Sequence, residues 1–484
     1  MNAHVPFGRD GRPDFGGRAV TVMGLGLFGG GTTVARFLAR HGARVTATDT
    51  RNERELAPAI EALSGLDVRF VLGEHRTEDF TDTTLVVANP AVSPTSPYLA
   101  AATARGVPIT SETALFLELC PARIAAVTGT QGKSSTCNTL AQLLEASGIP
   151  CRLGGNIGRS LLEAALEMSE RDLVVLEMSS YQLEVLPRAL RGRDGPPRVE
   201  VACVVNVMAD HLERHGTLDA YADAKKRLLE LPAAVGGRAV LSAEDPRIAA
   251  WDVPGVTRVD VFPTRASDRG LNFRDGRFRL HRESLGRVSD LRLPGTFQHV
   301  NTLMSLGMAR LLGAEPERLA AALPQVGALP HRLEDLGLVR GVRVWDNGVS
   351  TTPDSTLGVF PSLPKGFTLL VGGKAKNLPL DELVEASRGA VARVVTFGSA
   401  ARLFADAYTT GGFEAHATAT VEEAVARAFE LARPGEHLLF SPACASFDQY
   451  LNFQDRAMAF RRAVDRLRER PAGLPDPVPA VGTT

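Results

Sequence analysis

The sequence predicts an α/β protein of three domains, each built on a mostly parallel sheet. Three strand–turn–helix signals carry that expectation. The first is the apolar run Ala19–Met23, the turn Gly24-Leu25-Gly26-Leu27-Phe28-Gly29, a helix through Leu38, and a strand from residue 44 that ends at Asp49. The second is the apolar run 124–127, a Gly-rich turn, and a helix over residues 137–146. The third starts near Pro330-His331-Arg332 and takes in the runs 368–371 and 394–398. Pro/Gly breaks at Cys120-Pro121 and over residues 323–330 separate them. The domains are therefore expected at 1–120, 121–328 and 329–484, with a Pro-rich, disordered tail from about 471. Residues 271–291 alternate apolar and charged side chains around Asp275-Gly276, the pattern of a hairpin. Residues 191–198 read as a solvated loop.

Length and composition narrow the classes. A chain of 484 residues exceeds one core, at roughly 100–200 residues per domain. Hydrophobic content of 44% and charged content of 23% are ordinary for a soluble globular protein. A net charge of −1 gives no global field to recruit nucleic acid or an anionic membrane. Any anionic ligand must be held by local groups. Cys120, Cys137, Cys151, Cys203 and Cys444 show no paired spacing, so they read as reduced thiols of a cytosolic protein. The first 17 residues have no apolar core, so no signal peptide is expected. No run approaches the ~20 apolar residues that span a bilayer.

The turn after the second strand reads Gly129-Thr130-Gln131-Gly132-Lys133-Ser134-Ser135. Such a turn aims backbone N–H groups at an anion, and the helix N-terminus adds partial positive charge. Lys133 supplies a cation for the outer phosphates. Ser134 or Ser135 supplies a hydroxyl for Mg²⁺. The spacing Gly-x-x-Gly-Lys-Ser is shorter than the common Gly-x-x-x-x-Gly-Lys-Ser loop.

Other segments carry chemistry with a plain alternative beside it. Gly24-x-Gly26-x-x-Gly29, followed by Asp49, fits a dinucleotide fingerprint or merely a tight turn. Glu177, ending the run 173–176, can hold Mg²⁺ in a strand-end crevice or cap a helix. His211 beside Asp210, near a strand end, suits a metal ligand or an ordinary satisfied histidine. Lys225 lies on a helical pattern, where a lone lysine is normally a surface residue. Residues 440–453 read as a strand end, a small-residue turn and a helix start, again a place for an anion. Cys444 in that turn is expected to be inert, because no His neighbours it in sequence.

Together these segments resemble the Mur ligases, which extend the peptidoglycan stem peptide in the bacterial cytoplasm, and among them the glutamate-adding branch. The likeness covers about residues 18–465. It rests on Gly129-Thr-Gln-Gly-Lys-Ser-Ser135, Gly154-Gly-Asn-Ile-Gly158, Leu176-Glu-Met-Ser-Ser-Tyr-Gln-Leu-Glu184, Asn206-Val-Met-Ala-Asp-His211, the Tyr221-to-Lys225 stretch, Leu329-Pro-His-Arg-Leu-Glu334 and Ser441-Pro-Ala-Cys-Ala-Ser-Phe-Asp-Gln449. The last discriminates the glutamate branch best.

The resemblance implies a Rossmann-like N-terminal domain holding UDP, a central P-loop ATPase-like domain, and a Rossmann-like C-terminal domain. It implies UDP-substrate contacts at Gly26, Leu27, Phe28, Asp49, Thr50, Arg51, Asn89, Asn156, Ser179 and Gln182. ATP contacts fall at Gly129, Thr130, Gln131, Gly132, Lys133, Ser134, Ser135, Asn301, Arg332 and Asp346. Thr351, Lys376, Ser446 and Phe453 fall where the family binds glutamate. Lys133, Glu177, His211 and Lys225 become the catalytic set. Ser134 and Glu177 are implied for one Mg²⁺; His211 and Lys225, as its carbamate, for a second. A carbamate turns a cationic amine into an anionic oxygen ligand suited to a hard cation. The implied reaction activates the carboxylate of UDP-N-acetylmuramoyl-L-alanine with ATP as an acyl phosphate, then joins it to D-glutamate. A cytoplasmic monomer is implied, with no nucleic acid and no membrane insertion.

Some positions depart from the pattern. The family's His-Asn before Asn301 is Phe297-Gln298 here. Its Asn-Asp-Ser-Lys-Ala-Thr-Asn segment reads Asp346-Asn347-Gly348-Val349-Ser350-Thr351-Thr352, so Asn347 replaces an aspartate and Val349 a lysine. Relatives with a Ser-Thr-Thr-Pro segment like that at Ser350 add L-glutamate, which stays the alternative. Two other classes stay open: an oxidoreductase using Gly24 and Asp49, and a non-catalytic nucleotide-binding regulator. A folate-type polyglutamate ligase fits residues 49–51 and 441–449 less well.

Overall fold

The computed structural model describes residues 5–8, 11–26, 30–158, 160–187, 190–192, 195–375 and 379–469. The expectations for Leu27, Phe28, Lys376 and the tail from 471 lie outside these described residues. The chain forms two compact units. One holds the residues up to Arg292 with His299–Val326; the other holds Leu293–Gln298 with the residues from Gly327 on.

The first unit contains two sheets. Strands β1 (Ala19–Met23), β2 (Arg44–Asp49), β3 (Val68–Leu72), β4 (Leu85–Ala88) and β5 (Ile109–Thr110) form a parallel sheet in the order β3-β2-β1-β4-β5. The chain runs outward from β1 to β3, then returns to the other side of β1. The reversal opens a crevice beyond the C-terminal ends of β1 and β4, where doubly wound sheets take ligands. Gly24 (φ 88) and Gly26 (φ 69) turn the chain there in the left-handed region that glycine tolerates. A Cβ on Gly31 would lie 2.1 Å from the Gly24 carbonyl oxygen, so only glycine lets the helix Gly30–Arg40 close on the turn.

The second sheet has strands β6 (Arg123–Thr128), β7 (Arg152–Gly155), β8 (Leu173–Glu177), β9 (Val199–Val204), β10 (Arg238–Ser242), β11 (Thr257–Phe262), β12 (Leu271–Arg274), β13 (Arg277–Leu280) and β14 (Glu283–Arg287), in the order β14-β13-β12-β11-β10-β9-β6-β8-β7. From β7 to β12 neighbours run parallel. The strands β6, β8 and β9 are almost wholly buried apolar runs, as expected of parallel strands covered on both faces. The hairpin at Asp275-Gly276 forms as its sequence predicts, with both residues at positive φ (53 and 66). It makes β12 and β13 antiparallel, and β14 pairs antiparallel with β13 in turn, so this sheet is mixed. The helix Glu112–Leu119 leads from the first sheet to the second, and its buried Ala114, Leu115, Phe116 and Leu117 join one core cluster with residues of both.

The second unit has one sheet, of β15 (Glu334–Val339), β16 (Val342–Asp346), β17 (Phe367–Gly372), β18 (Val391–Phe397), β19 (Ala415–Ala417) and β20 (His437–Phe440), ordered β15-β16-β20-β17-β18-β19. All pairs are parallel except β15 with β16. Local boundaries shift from expectation. The helix after the phosphate loop begins at Lys133, not 137, so the lysine itself opens the first turn. The helix after residues 441–449 begins only at Phe453. Among the described residues no helix is long and apolar enough to cross a membrane.

Candidate active site

Strand register assembles the site. In the central sheet Val127 pairs with Glu177 on β8 and with Cys203 on β9. The three segments that follow, at Gly129, Met178 and Val205, therefore leave the sheet at one edge. Gly129 is required by this closeness: a Cβ there would sit 2.9 Å from Val205 Cβ. Gly132 (φ 80) caps the helix Lys133–Ala146, and a Cβ on it would strike the Asn301 amide at 2.6 Å. Asn301 is buried against the phosphate loop.

Asn206, which opens the motif that ends at His211, has a role that its sequence context does not reveal. Its Oδ1 accepts from Thr130 N and Gln131 N, each at 3.0 Å, and its Nδ2 donates to Gln131 O at 3.1 Å. The side chain thus behaves like a short piece of neighbouring strand. It holds the first half of the loop, at Thr130 and Gln131, just ahead of the helix N-terminus. Thr130 adds hydrogen bonds to Met208 N and O.

Two lysines converge on one oxygen. Lys133 Nζ donates to Gly129 O (3.0 Å) and Thr130 O (2.9 Å), and Lys225 Nζ donates to the same Gly129 O (2.8 Å). The two ammonium groups are therefore no farther apart than those two donor distances laid end to end. Lys225 lies on the helix Leu218–Lys226 but is only 1% exposed, unlike the usual helical lysine. Its Nζ stands 4.2 Å from the Tyr221 ring centroid. Burial, and then the charge of Lys133, bring its pKa down to about 7.

Glu177, at 1% exposure, ends β8 inside this edge. Oε1 accepts from Asn156 Nδ2 at 2.7 Å, while Oε2 is buried with no hydrogen-bond partner. Gly155 (φ 94) lets Asn156 reach it, since a Cβ there would lie 2.3 Å from Glu177 O. Ser179, not Glu177, caps the next helix, in a reciprocal pair with Gln182. The Gln182 amide also donates to Thr113 Oγ1 at 3.0 Å, on the helix Glu112–Leu119.

His211 lies on a loop well past the end of β9 rather than at the strand end. It holds a left-handed backbone (φ 52), rare for a side chain larger than glycine. Its ring contacts Tyr181 (centroids 5.1 Å) and Tyr221 (6.1 Å), and its nitrogens lie 3.6 Å from Asp210 and 3.5 Å from Glu213. The Tyr221 ring thus neighbours both His211 and Lys225. Among the described residues no three His, Cys, Asp or Glu side chains gather as a metal cluster.

In the first sheet's crevice, Asp49 is buried, and its oxygens accept from Gly26 N (3.2 Å) and Arg51 N (3.0 Å). The carboxylate braces its own turn. Thr50 is exposed and Arg51 partly so. Asn89 follows β4, and its Cβ would lie 3.0 Å from a Cβ on Gly24.

The second unit carries its own constellation. Asp346 is 0% exposed; it accepts from Arg461 Nε (2.8 Å) and Gly348 N (2.9 Å) and pairs with His331 Nδ1 (2.7 Å). Its side chain holds the turn at His331 against the helix of Arg461. Asn347, the departure from aspartate, accepts from Leu333 N (3.2 Å) and donates to Ser441 Oγ (3.0 Å), and an ionised aspartate could not donate. Thr351 and Phe453 are half-buried and Ser446 is buried. Sequence reasoning missed Arg456. This 0% exposed guanidinium donates to Cys444 O (2.9 Å), Ala445 O (3.0 Å), Gly348 O (3.4 Å) and Ser350 O (3.4 Å). It ties the loop of Thr351 to the loop of Ser446. Desolvation lowers its pKa to about 10. Cys444 is buried, as an inert thiol should be.

A glycine-rich loop at a helix N-terminus, a buried acidic strand end and two lysines on one carbonyl lie together at one edge of the central sheet. Residues 18–111 match the profile of the Mur ligase MurD-like N-terminal domain, and residues 127–309 that of the Mur ligase middle domain. The chain is 36% identical over 466 residues to UDP-N-acetylmuramoylalanine--D-glutamate ligase of Geobacter metallireducens, covering 95% of this chain and 100% of that one. It is 35% identical to the enzyme of the same name from Roseiflexus sp., covering 93% and 98%. It shares its fold with UDP-N-acetylmuramate-alanine ligase of Thermotoga maritima (TM-score 0.56, 17% identity, 93% and 99% covered). The chain belongs to the Mur ligase family.

Proposed function

We propose that this chain is an ATP-dependent amide ligase that adds D-glutamate to UDP-N-acetylmuramoyl-L-alanine in peptidoglycan precursor synthesis. One observation carries the reading: Lys133 and Lys225 meet at Gly129 O on the sheet edge that also holds Glu177, in a chain of which 95% is matched by an enzyme named for that reaction. The first step is attack of the substrate carboxylate on the γ-phosphorus of ATP. The bond to ADP breaks and an acyl phosphate forms. The glutamate amine then attacks the acyl carbon, phosphate leaves, and the amine loses a proton. Positioning and charge neutralisation are the enzyme's main tasks in phosphoryl transfer.

The assignments follow the sheets. The domain of residues 1–120 holds UDP through the turn at Gly26, Asp49, Thr50 and Arg51, with Asn89 opposite. The domain of residues 121–328 holds ATP through Gly132, Lys133, Ser134 and Ser135. The domain of residues 329–484 holds glutamate through Thr351, Ser446 and Phe453. The residues fit Mg²⁺, because Glu177 Oε2 is a buried carboxylate oxygen with no donor and Ser134 offers a hydroxyl. Bound there, Mg²⁺ would neutralise phosphoryl charge. A second ion would be held by His211 and a carbamate on Lys225.

Two results are expected. Phosphate release needs ATP, UDP-N-acetylmuramoyl-L-alanine and glutamate together, and runs with higher kcat/KM on the D-enantiomer. The Ser350-Thr-Thr-Pro segment favours the L-enantiomer as the second reading, and a higher kcat/KM for L-glutamate would establish it. No turnover with either, in folded protein, would overturn the ligase reading. Asn206→Asp keeps the acceptor for the loop but loses the donor and adds charge beside phosphate. It is expected to raise KM for ATP about tenfold, with KM for the UDP substrate little changed. Steady-state kinetics with each substrate varied in turn checks this.

A further inference from the structure

We infer that Arg214 is a positioning residue that sets the UDP-substrate loop against the catalytic edge; the inference rests on the ligase reading above. Arg214 stands just after His211, and its amide donates to His211 O at 3.0 Å. Its side chain is only 8% exposed. Three groups share the guanidinium. Nε donates to Glu184 Oε2 at 2.8 Å, Nη1 to Ala91 O at 3.3 Å, and Nη2 to Pro90 O at 3.2 Å. Its flat face lies 4.7 Å from the centroid of Tyr181, the ring that also packs on His211.

These partners belong to two sheets. Glu184 and Tyr181 follow β8 of the central sheet. Pro90 and Ala91 follow β4 of the first sheet, directly after Asn89. Asn89 Oδ1 accepts from Ala91 N at 3.0 Å, so the gripped carbonyls and Asn89 form one small turn. That turn lies against Gly24 at the crevice. One side chain therefore connects the crevice of the first sheet with the His211 turn. A salt bridge serving only the short helix Leu212–His215 would need Glu184 alone. The two carbonyls add nothing to that helix. They fix the distance between the two halves of a substrate that must span both sheets. A planar fork with donors in fixed directions can serve three acceptors at once, whereas an ammonium on a flexible stem cannot.

The test uses the full-length enzyme with Arg214→Lys and Arg214→Met. Both should raise KM for UDP-N-acetylmuramoyl-L-alanine about tenfold, with KM for ATP within about twofold of wild type. Lysine should not rescue, although it keeps the charge. Hydrogen exchange of residues 89–92 should quicken in Arg214→Lys. A merely structural role would lower the melting temperature and the active fraction, leave KM alone, and confine faster exchange to residues 212–226. That result overturns the inference, as does full rescue by lysine. If Arg214→Met fails to fold, the lysine variant and its exchange pattern decide. Wild-type turnover is the control: its absence sinks the ligase reading, whereas turnover with unchanged KM in the variants sinks only this inference.

Discussion

Lys225→Ala is expected to lower kcat about a thousandfold, and a short carboxylic acid such as formate or acetate in the buffer is expected to restore part of it. The argument begins with burial. An ordinary lysine has fewer than about one amine in a thousand neutral at pH 7. In Lys225, desolvation and the Lys133 charge bring the pKa down to about 7, so a far larger share of its amines is neutral there. Only a neutral amine adds CO₂: nitrogen bonds to carbon, a proton leaves, and an anionic carbamate forms. The sign follows. Lowering the pH through 7 protonates the amine and disfavours the carbamate; raising it has the opposite effect. The product would suit the site, because an anion would then face Lys133 where two cations now share one carbonyl. A small carboxylate entering the alanine cavity would replace it. Wild-type activity in the alanine variant, or a bare amine in density from an active crystal, would refute the assignment.

Lys133→Ala should abolish turnover, with kcat at least about 10³-fold lower and the fold intact. Lys133 opens a helix anchored by buried Thr136, Thr139, Leu140, Leu143 and Leu144, so the fold does not depend on its side chain. On the proposed ligase reading its ammonium would meet phosphoryl charge, and that charge redistributes as the bond to ADP breaks. The loss should therefore fall on kcat more than on KM. Circular dichroism and a melting curve matching wild type, with no phosphate released, is the expected pair of results. A near-normal kcat would show that this loop is not the catalytic one.

The phosphate loop was legible in the sequence because its requirements are local: glycine where the backbone needs φ 80, lysine at a helix start, an apolar strand before it. The hairpin at Asp275-Gly276 was legible for the same reason. Lys225 was not. Its helix reads as amphipathic, and only the ordered set of motifs around it argued against a surface lysine. Its burial depends on Gly129, far away in the chain. Arg456 left no signal at all. An arginine in a helix rich in arginines looks like a solvated charge until the loops at 348–350 and 444–445 fold over it. The antiparallel strands β12, β13 and β14 were visible only as a hairpin, because joining the larger sheet is a long-range event. Asn347 looked like a defect against the family pattern. In the structure its amide bridges Leu333 N and Ser441 Oγ, accepting from the first and donating to the second.

The Lys133 ammonium already has two oxygens, the carbonyls of Gly129 and Thr130. An ammonium has three N–H donors, so any acceptor that takes over the donors these carbonyls hold must bind them more strongly than a neutral oxygen does. An ionised acceptor meets that condition. The resting loop therefore sets a threshold of charge that a ligand of this ammonium has to pass.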